Sequence, residues 1–129
     1  MPTSPSELLE HASRLAANAS GDEAAIRAAI SRAYYASYHD CKLWYDQLPC
    51  GGRAPEGGAS GMHLEFANLL QNPDPSLSAS LREASKLRGI ALRRLHGDRV
   101  SADYRMKKQL FGLEARNAIA NAKKIALLI

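Results

Sequence analysis

Arg32, Tyr35 and His39 are the residues whose types and spacing could do chemistry. They lie in the run Ser31-Arg32-Ala33-Tyr34-Tyr35-Ala36-Ser37-Tyr38-His39. Seven helical steps of about 100° return within about 20° of two full turns, so a helix puts Arg32 and His39 on one face. Arginine presents fixed donors to phosphate oxygens and steadies developing negative charge. Histidine exchanges protons near neutral pH. Together they suit metal-free cleavage of RNA, in which a 2′-hydroxyl attacks the adjacent phosphorus. The same seven residues rise about 10.5 Å, so one pair from one chain does not close on one phosphate. An isologous dimer would set two such stripes against each other. If the pair is catalytic, the spacing therefore implies a homodimer with the cleft at its interface. The structural alternative pairs Arg32 with the carboxylate of Asp103 and leaves His39 as an ordinary histidine.

The elements that would position this stretch read as helices. Ser4, Pro5 and Glu7 form a capping box and first turn for a helix over 5–18, with Leu8, Leu9, Ala12, Leu15 and Ala16 on its apolar face. A second helix spans 21–47, with Ser20 as cap and Glu23 completing a box. Its core stripe reads Ile26, Ala29, Ile30, Ala33, Ser37 and Trp44. Residues 49–60 are a glycine- and proline-rich loop. A short third helix covers 62–71, anchored by Leu64, Phe66, Leu69 and Leu70. Asp74 and Pro75 open a fourth helix that reaches about Leu95, with Leu81, Ala84, Leu87, Ala91 and Leu95 spaced for burial. Gly89 costs that helix about 1 kcal/mol relative to alanine. Gly97-Asp98 breaks it, and Ser101 or Asp103 starts a fifth helix running nearly to the end. There is no strand-like alternation. The expected fold is all-α, an antiparallel up-and-down bundle of about five helices in a single domain over 1–129.

The chain has 129 residues, 46% of them hydrophobic, enough for one real core. Its net charge of +4 is uneven: residues 1–80 hold 5 basic and 9 acidic groups, whereas residues 81–129 hold 12 and 4. A basic half fits an anionic partner such as nucleic acid, or a solvated helix face. Arg82, Lys86 and Arg93 line one face and could track a phosphate backbone. Tyr34, Tyr35 and Tyr38 could stack on bases or simply pack. His63 and His96 have no ligand partners at metal-binding spacing, and no Walker loop, HExxH or GxSxG is present, so neither a metal nor a cofactor is expected. Cys41 and Cys50 read as free thiols of a reducing cytosol. The first residues lack the apolar run of a signal peptide, and no stretch approaches a membrane span.

The run SRAYYASYH resembles the SRAYYA-x-x-H helix of HEPN domains (higher eukaryotes and prokaryotes nucleotide-binding). Gly61-Met62-His63-Leu64-Glu65-Phe66 is similar to the short helix that follows the loop in that family. Arg99-Val100-Ser101-Ala102-Asp103-Tyr104 is similar to its R-x-x-ADY element. The likeness covers roughly residues 5–128. It implies a dimerising helical bundle, many of whose members are ribonucleases that act as toxins or in anti-phage defence beside a nucleotidyltransferase-like antitoxin. It implies Arg32 and His39 as the catalytic arginine and histidine, here on an earlier helix than the family usually uses. Tyr35, Arg82, Lys86, Arg93 and Arg99 are expected to contact RNA or a nucleotide, and Asp103 and Tyr104 to serve structural pairing. Two functional readings follow: a metal-independent ribonuclease, or a non-catalytic module that binds a nucleotide, RNA or a partner.

Overall fold

A computed structural model describes residues 4–52 and 62–128; most of the loop expected over 49–60, Gly61 and Ile129 lie outside them. The described residues form five helices and no strand: α1 (Pro5–Ala17), α2 (Glu23–Tyr45), α3 (Met62–Gln71), α4 (Ala79–Tyr104) and α5 (Gly112–Ala126). The central α2 packs against α1, α4 and α5, and α3 lies against α4. The all-α bundle expected from periodicity is what the chain forms. Among the described residues no helix is long and apolar enough to cross a membrane.

Local chemistry sets the boundaries. Ser4 and Glu7 cap α1 reciprocally, with Glu7 N–H donating to Ser4 Oγ at 3.2 Å and Ser4 N–H to Glu7 Oε1 at 3.4 Å. The cap of α2 is Asp22, not Ser20: its carboxylate accepts from the N–H groups of Ala24 and Ala25. Ser20 and Gly21 instead take positive φ, 43° and 83°, and make the turn between the two helices. The start of α4 is also later than expected. Asp74 accepts from Ser76 N–H in an Asx turn, Leu77 is buried, and Ser78 caps by accepting from Leu81 N–H. Asp74 and Pro75 thus belong to the turn.

The largest departure is α4 itself, which passes through Gly97-Asp98 unbroken to Tyr104. Glycine weakens a helix by about 1 kcal/mol but does not stop one whose buried stripe continues. Here Leu92 and Leu95 before the glycine and Ser101 and Ala102 after it are all buried. The helix ends where Arg27 of α2 takes its last carbonyls, with Nη1 donating to Ser101 O and Ala102 O at 2.9 Å each and Nη2 to Arg105 O and Lys108 O. Glu23 holds the same connection by accepting from Leu110 N–H at 2.7 Å.

The buried side of α4 is rotated from the expected one. Leu87 is 46% exposed, whereas Ser85, Arg88 and Gly89 are buried. Each polar group there has its own partner. Ser85 Oγ donates to Leu70 O at 2.6 Å. Arg88 donates to Ala84 O at 3.0 Å and to Leu128 O, with its guanidinium 4.1 Å from the Trp44 ring centre. Gly89 is needed rather than tolerated: a Cβ there would stand 2.6 Å from Gln71 Cγ, 2.9 Å from Gln71 N and 3.0 Å from Ala67 O. Its missing side chain is what lets α3 lie so close to α4.

Candidate functional site

Tyr34, Tyr35 and Tyr38 follow one another around α2 and fix where α3 and α4 bring their polar side chains. Tyr34 is fully buried, and Tyr35 and Tyr38 are partly buried. On α3, His63 lies one turn before the buried Phe66 and so shares its inward face. On α4, His96 follows the buried Leu92 by four residues and precedes Arg99 by three, with Asp103 four further on. The three helices thereby gather one cluster of rings and charges.

Its geometry is specific. The Tyr34 hydroxyl and His63 Nδ1 share a hydrogen bond of 2.7 Å. The His63 and His96 rings stack with centres 6.1 Å apart and planes 27° apart. Tyr34 meets both imidazoles edge-on, at 5.4 and 5.6 Å, and Tyr38 meets His63 at 4.9 Å. Arg99 donates from Nε to Asp103 Oδ2 and from Nη2 to the Tyr35 hydroxyl, each at 2.9 Å. Ser31 Oγ donates to the same Asp103 oxygen at 3.2 Å. The Arg99 guanidinium lies 5.3 Å from the Tyr35 ring centre and 5.5 Å from that of Tyr104. A guanidinium has five N–H groups. Among the described residues two are engaged, which leaves three for a ligand, and the side chain is 13% exposed.

Electrostatics favour an anion here. Burial and the Arg99 cation hold His63 below the usual imidazole range. His96 is lowered first by burial and then by three facing cations or would-be cations, His63, Arg99 and Arg93. Burial raises the Tyr34 phenol, which stays protonated. Among the described residues no three His, Cys, Asp or Glu side chains gather as a metal site.

The residues expected to form a site fall into separate groups. Arg32 and His39 are not brought together. Arg32 turns toward α1, where its Nε donates to His11 Nδ1 at 3.0 Å. His39 is exposed, with its ring 5.5 Å from that of Tyr38. The Arg32–Asp103 pair of the structural alternative does not form. Ser31 and Arg32 are 100° apart around α2, so Ser31 faces α4 while Arg32 faces α1, and Asp103 is bound by Ser31 and Arg99. Tyr35 and Arg99 do meet. Tyr104 is 65% exposed and touches Arg99 by its ring face. Arg82 folds back onto the carbonyls of Pro75 and Leu77 at 3.0 and 2.6 Å, fastening the turn before its own helix. Lys86 is exposed, and Arg93 Nη1 donates to Asn68 Oδ1 at 3.4 Å.

Sequence reasoning set aside His63 and His96, which the fold makes neighbours. Their signal was weak but present: each sits at helical spacing from a buried apolar residue, Phe66 and Leu92 respectively. Cys41 and Cys50 are free thiols, and burial pushes the Cys41 thiol up to about 12. The class that fold and cluster define is an all-α bundle with a tyrosine–histidine–arginine cluster between three helices. Comparison with family models, curated proteins and solved structures finds no match to this chain.

Proposed function

We propose that the chain is a HEPN-like helical module that binds RNA and cleaves it without a metal, as a homodimeric toxin or defence component. The binding half of this reading is carried by one observation: among the described residues Arg99 keeps three N–H groups unengaged beside two half-buried histidines and the exposed ring of Tyr104. Arginine donors grip phosphate oxygens, aromatic faces accept bases, and the basic second half of the chain adds attraction for a polyanion. Cleavage, the toxin role, the dimer and a nucleotidyltransferase-like antitoxin rest on the SRAYYA and ADY resemblance. An Arg32/His39 reaction site would need a second copy, because Arg32 is held by His11 and does not meet His39.

The test is fluorescence anisotropy with a mixed pool of short single-stranded RNA. Arg99→Ala is expected to weaken binding at least tenfold, and affinity should fall steeply with salt. Undetectable binding by the wild type at low salt, or an unchanged affinity for Arg99→Ala, defeats the reading. The non-catalytic alternative is favoured by the separation of Arg32 from His39, and it holds if RNA binds but survives intact.

A further inference from the structure

We propose that His63 and His96 form the acid–base pair of a phosphodiester-cleaving site complete within one chain, with Arg99 holding the phosphate. This deepens the RNA-binding reading and rests on it, but moves the chemistry away from Arg32 and His39. The two imidazoles come from different helices, α3 and α4, and stack with centres 6.1 Å apart. Neither ring nitrogen of His96 has a hydrogen-bond partner among the described residues, and His63 has one partner, Tyr34 at Nδ1. That leaves Nε2 of His63 and both nitrogens of His96 for the oxygens on one phosphorus, which proton transfer would need to bring within about 2.6–3.2 Å of them. Arg99 is one turn beyond His96 and keeps three N–H groups, enough for two non-bridging oxygens.

The roles follow from what each ring faces. His96 looks toward His63, Arg99 and Arg93, with Tyr34 edge-on from α2; burial first and then these cations oppose its protonation, so it takes the base role. His63 faces Tyr34, Tyr35 and Tyr38 of α2 and, across α4, Arg99, whose charge Asp103 partly offsets. In the protonated ring, the Tyr34 oxygen would accept from Nδ1–H and leave Nε2–H free to donate, so His63 takes the acid role. His96 takes the 2′-hydroxyl proton as that oxygen bonds to phosphorus. The bond from phosphorus to the 5′-oxygen breaks, and His63 protonates the leaving oxygen. The products are a 2′,3′-cyclic phosphate and a 5′-hydroxyl. Electrons and protons balance with no co-reactant, and the next substrate finds the pair restored after one proton exchange with water.

The experiment incubates the full chain with mixed single-stranded RNA in the presence of a chelator and follows chain scission, the cyclic-phosphate end and RNA affinity. His96→Asn is expected to lose at least a hundredfold in cleavage rate with affinity within threefold of wild type. His63→Gln should behave likewise, and the wild-type rate should peak below pH 6.5. His96→Asn breaks no hydrogen bond among the described residues, so it decides the matter should His63→Gln fold poorly. Wild-type protein that binds RNA but leaves it intact overturns the inference while the binding reading stands. So does a His96→Asn protein cleaving at the wild-type rate, and doubly so if His39→Ala does not. Absence of any RNA binding removes both.

Discussion

The two halves of α4 use arginine in opposite ways. Near its start, Arg88 is 3% exposed and enclosed: two carbonyls accept from it, Trp44 covers its face, and burial lowers its affinity for its proton. Eleven residues on, Arg99 is braced by Asp103 and Tyr35, and its side chain is 13% exposed. Around Arg88 the neighbours are a buried serine and a glycine that admits α3 at close range. Around Arg99 they are two histidines and an exposed tyrosine. Each arginine engages two N–H groups, but the one enclosed by carbonyls and Trp44 holds the C-terminal residues to the bundle, whereas the one braced by Asp103 and Tyr35 keeps part of its side chain exposed. A side chain that is braced but not enclosed is what a ligand site requires.

That contrast can be broken by substitution. The largest effect is expected at the closed end. Arg88→Ala should destabilise the fold by about 3 kcal/mol, since it removes two hydrogen bonds to part-buried carbonyls and uncovers Trp44, while leaving the RNA affinity of the folded fraction unchanged. Urea unfolding and anisotropy measure the two quantities separately. Gly89→Ala should cost about 2 kcal/mol through its clash with the α3 backbone, although alanine is the better helix former. A stabilised Gly89→Ala protein would mean that α3 does not lie so close.

At the open end the order reverses. Arg99→Ala should cost about 1 kcal/mol of stability, since its partners Tyr35 and Asp103 are only partly buried, but at least tenfold in RNA affinity. Equal effects of Arg88→Ala and Arg99→Ala on binding would erase the distinction. The smallest effect concerns pH. His63 and His96 hold their protons less tightly folded than unfolded, so the unfolded chain binds more protons between the folded values and about 6.5. Their contribution is whole above pH 6.5 and is lost as pH falls through the folded values. The melting temperature should therefore drop from pH 7.5 to 5.5, and His96→Asn should flatten that slope. A steeper slope in His96→Asn would reverse the sign assigned to this pair.

Much of the bundle was legible in the chain. The Ser4–Glu7 cap, the apolar face of α1, the uninterrupted α2 and the bounds of α3 follow from short-range chemistry, which acts between residues three or four apart and is written directly in their order. The same locality put Arg32 and His39 on one face.

What lay beyond it depends on partners far away in sequence. Ser31 and Arg32 differ by one step, yet one binds α4 and the other α1, and nothing local says which helix stands on which side. Gly97 reads as a break until the buried residues flanking it are packed. Leu87 reads as core until Arg88 finds Leu128 and Trp44. His63 and His96, 33 positions apart, become neighbours when α3 and α4 pack side by side against the tyrosines of α2. Amino-acid order determined the helices and the chemical character of their faces. The tertiary structure decided which faces meet, because a helix face acquires its partners from burial across the whole bundle rather than from its own neighbours.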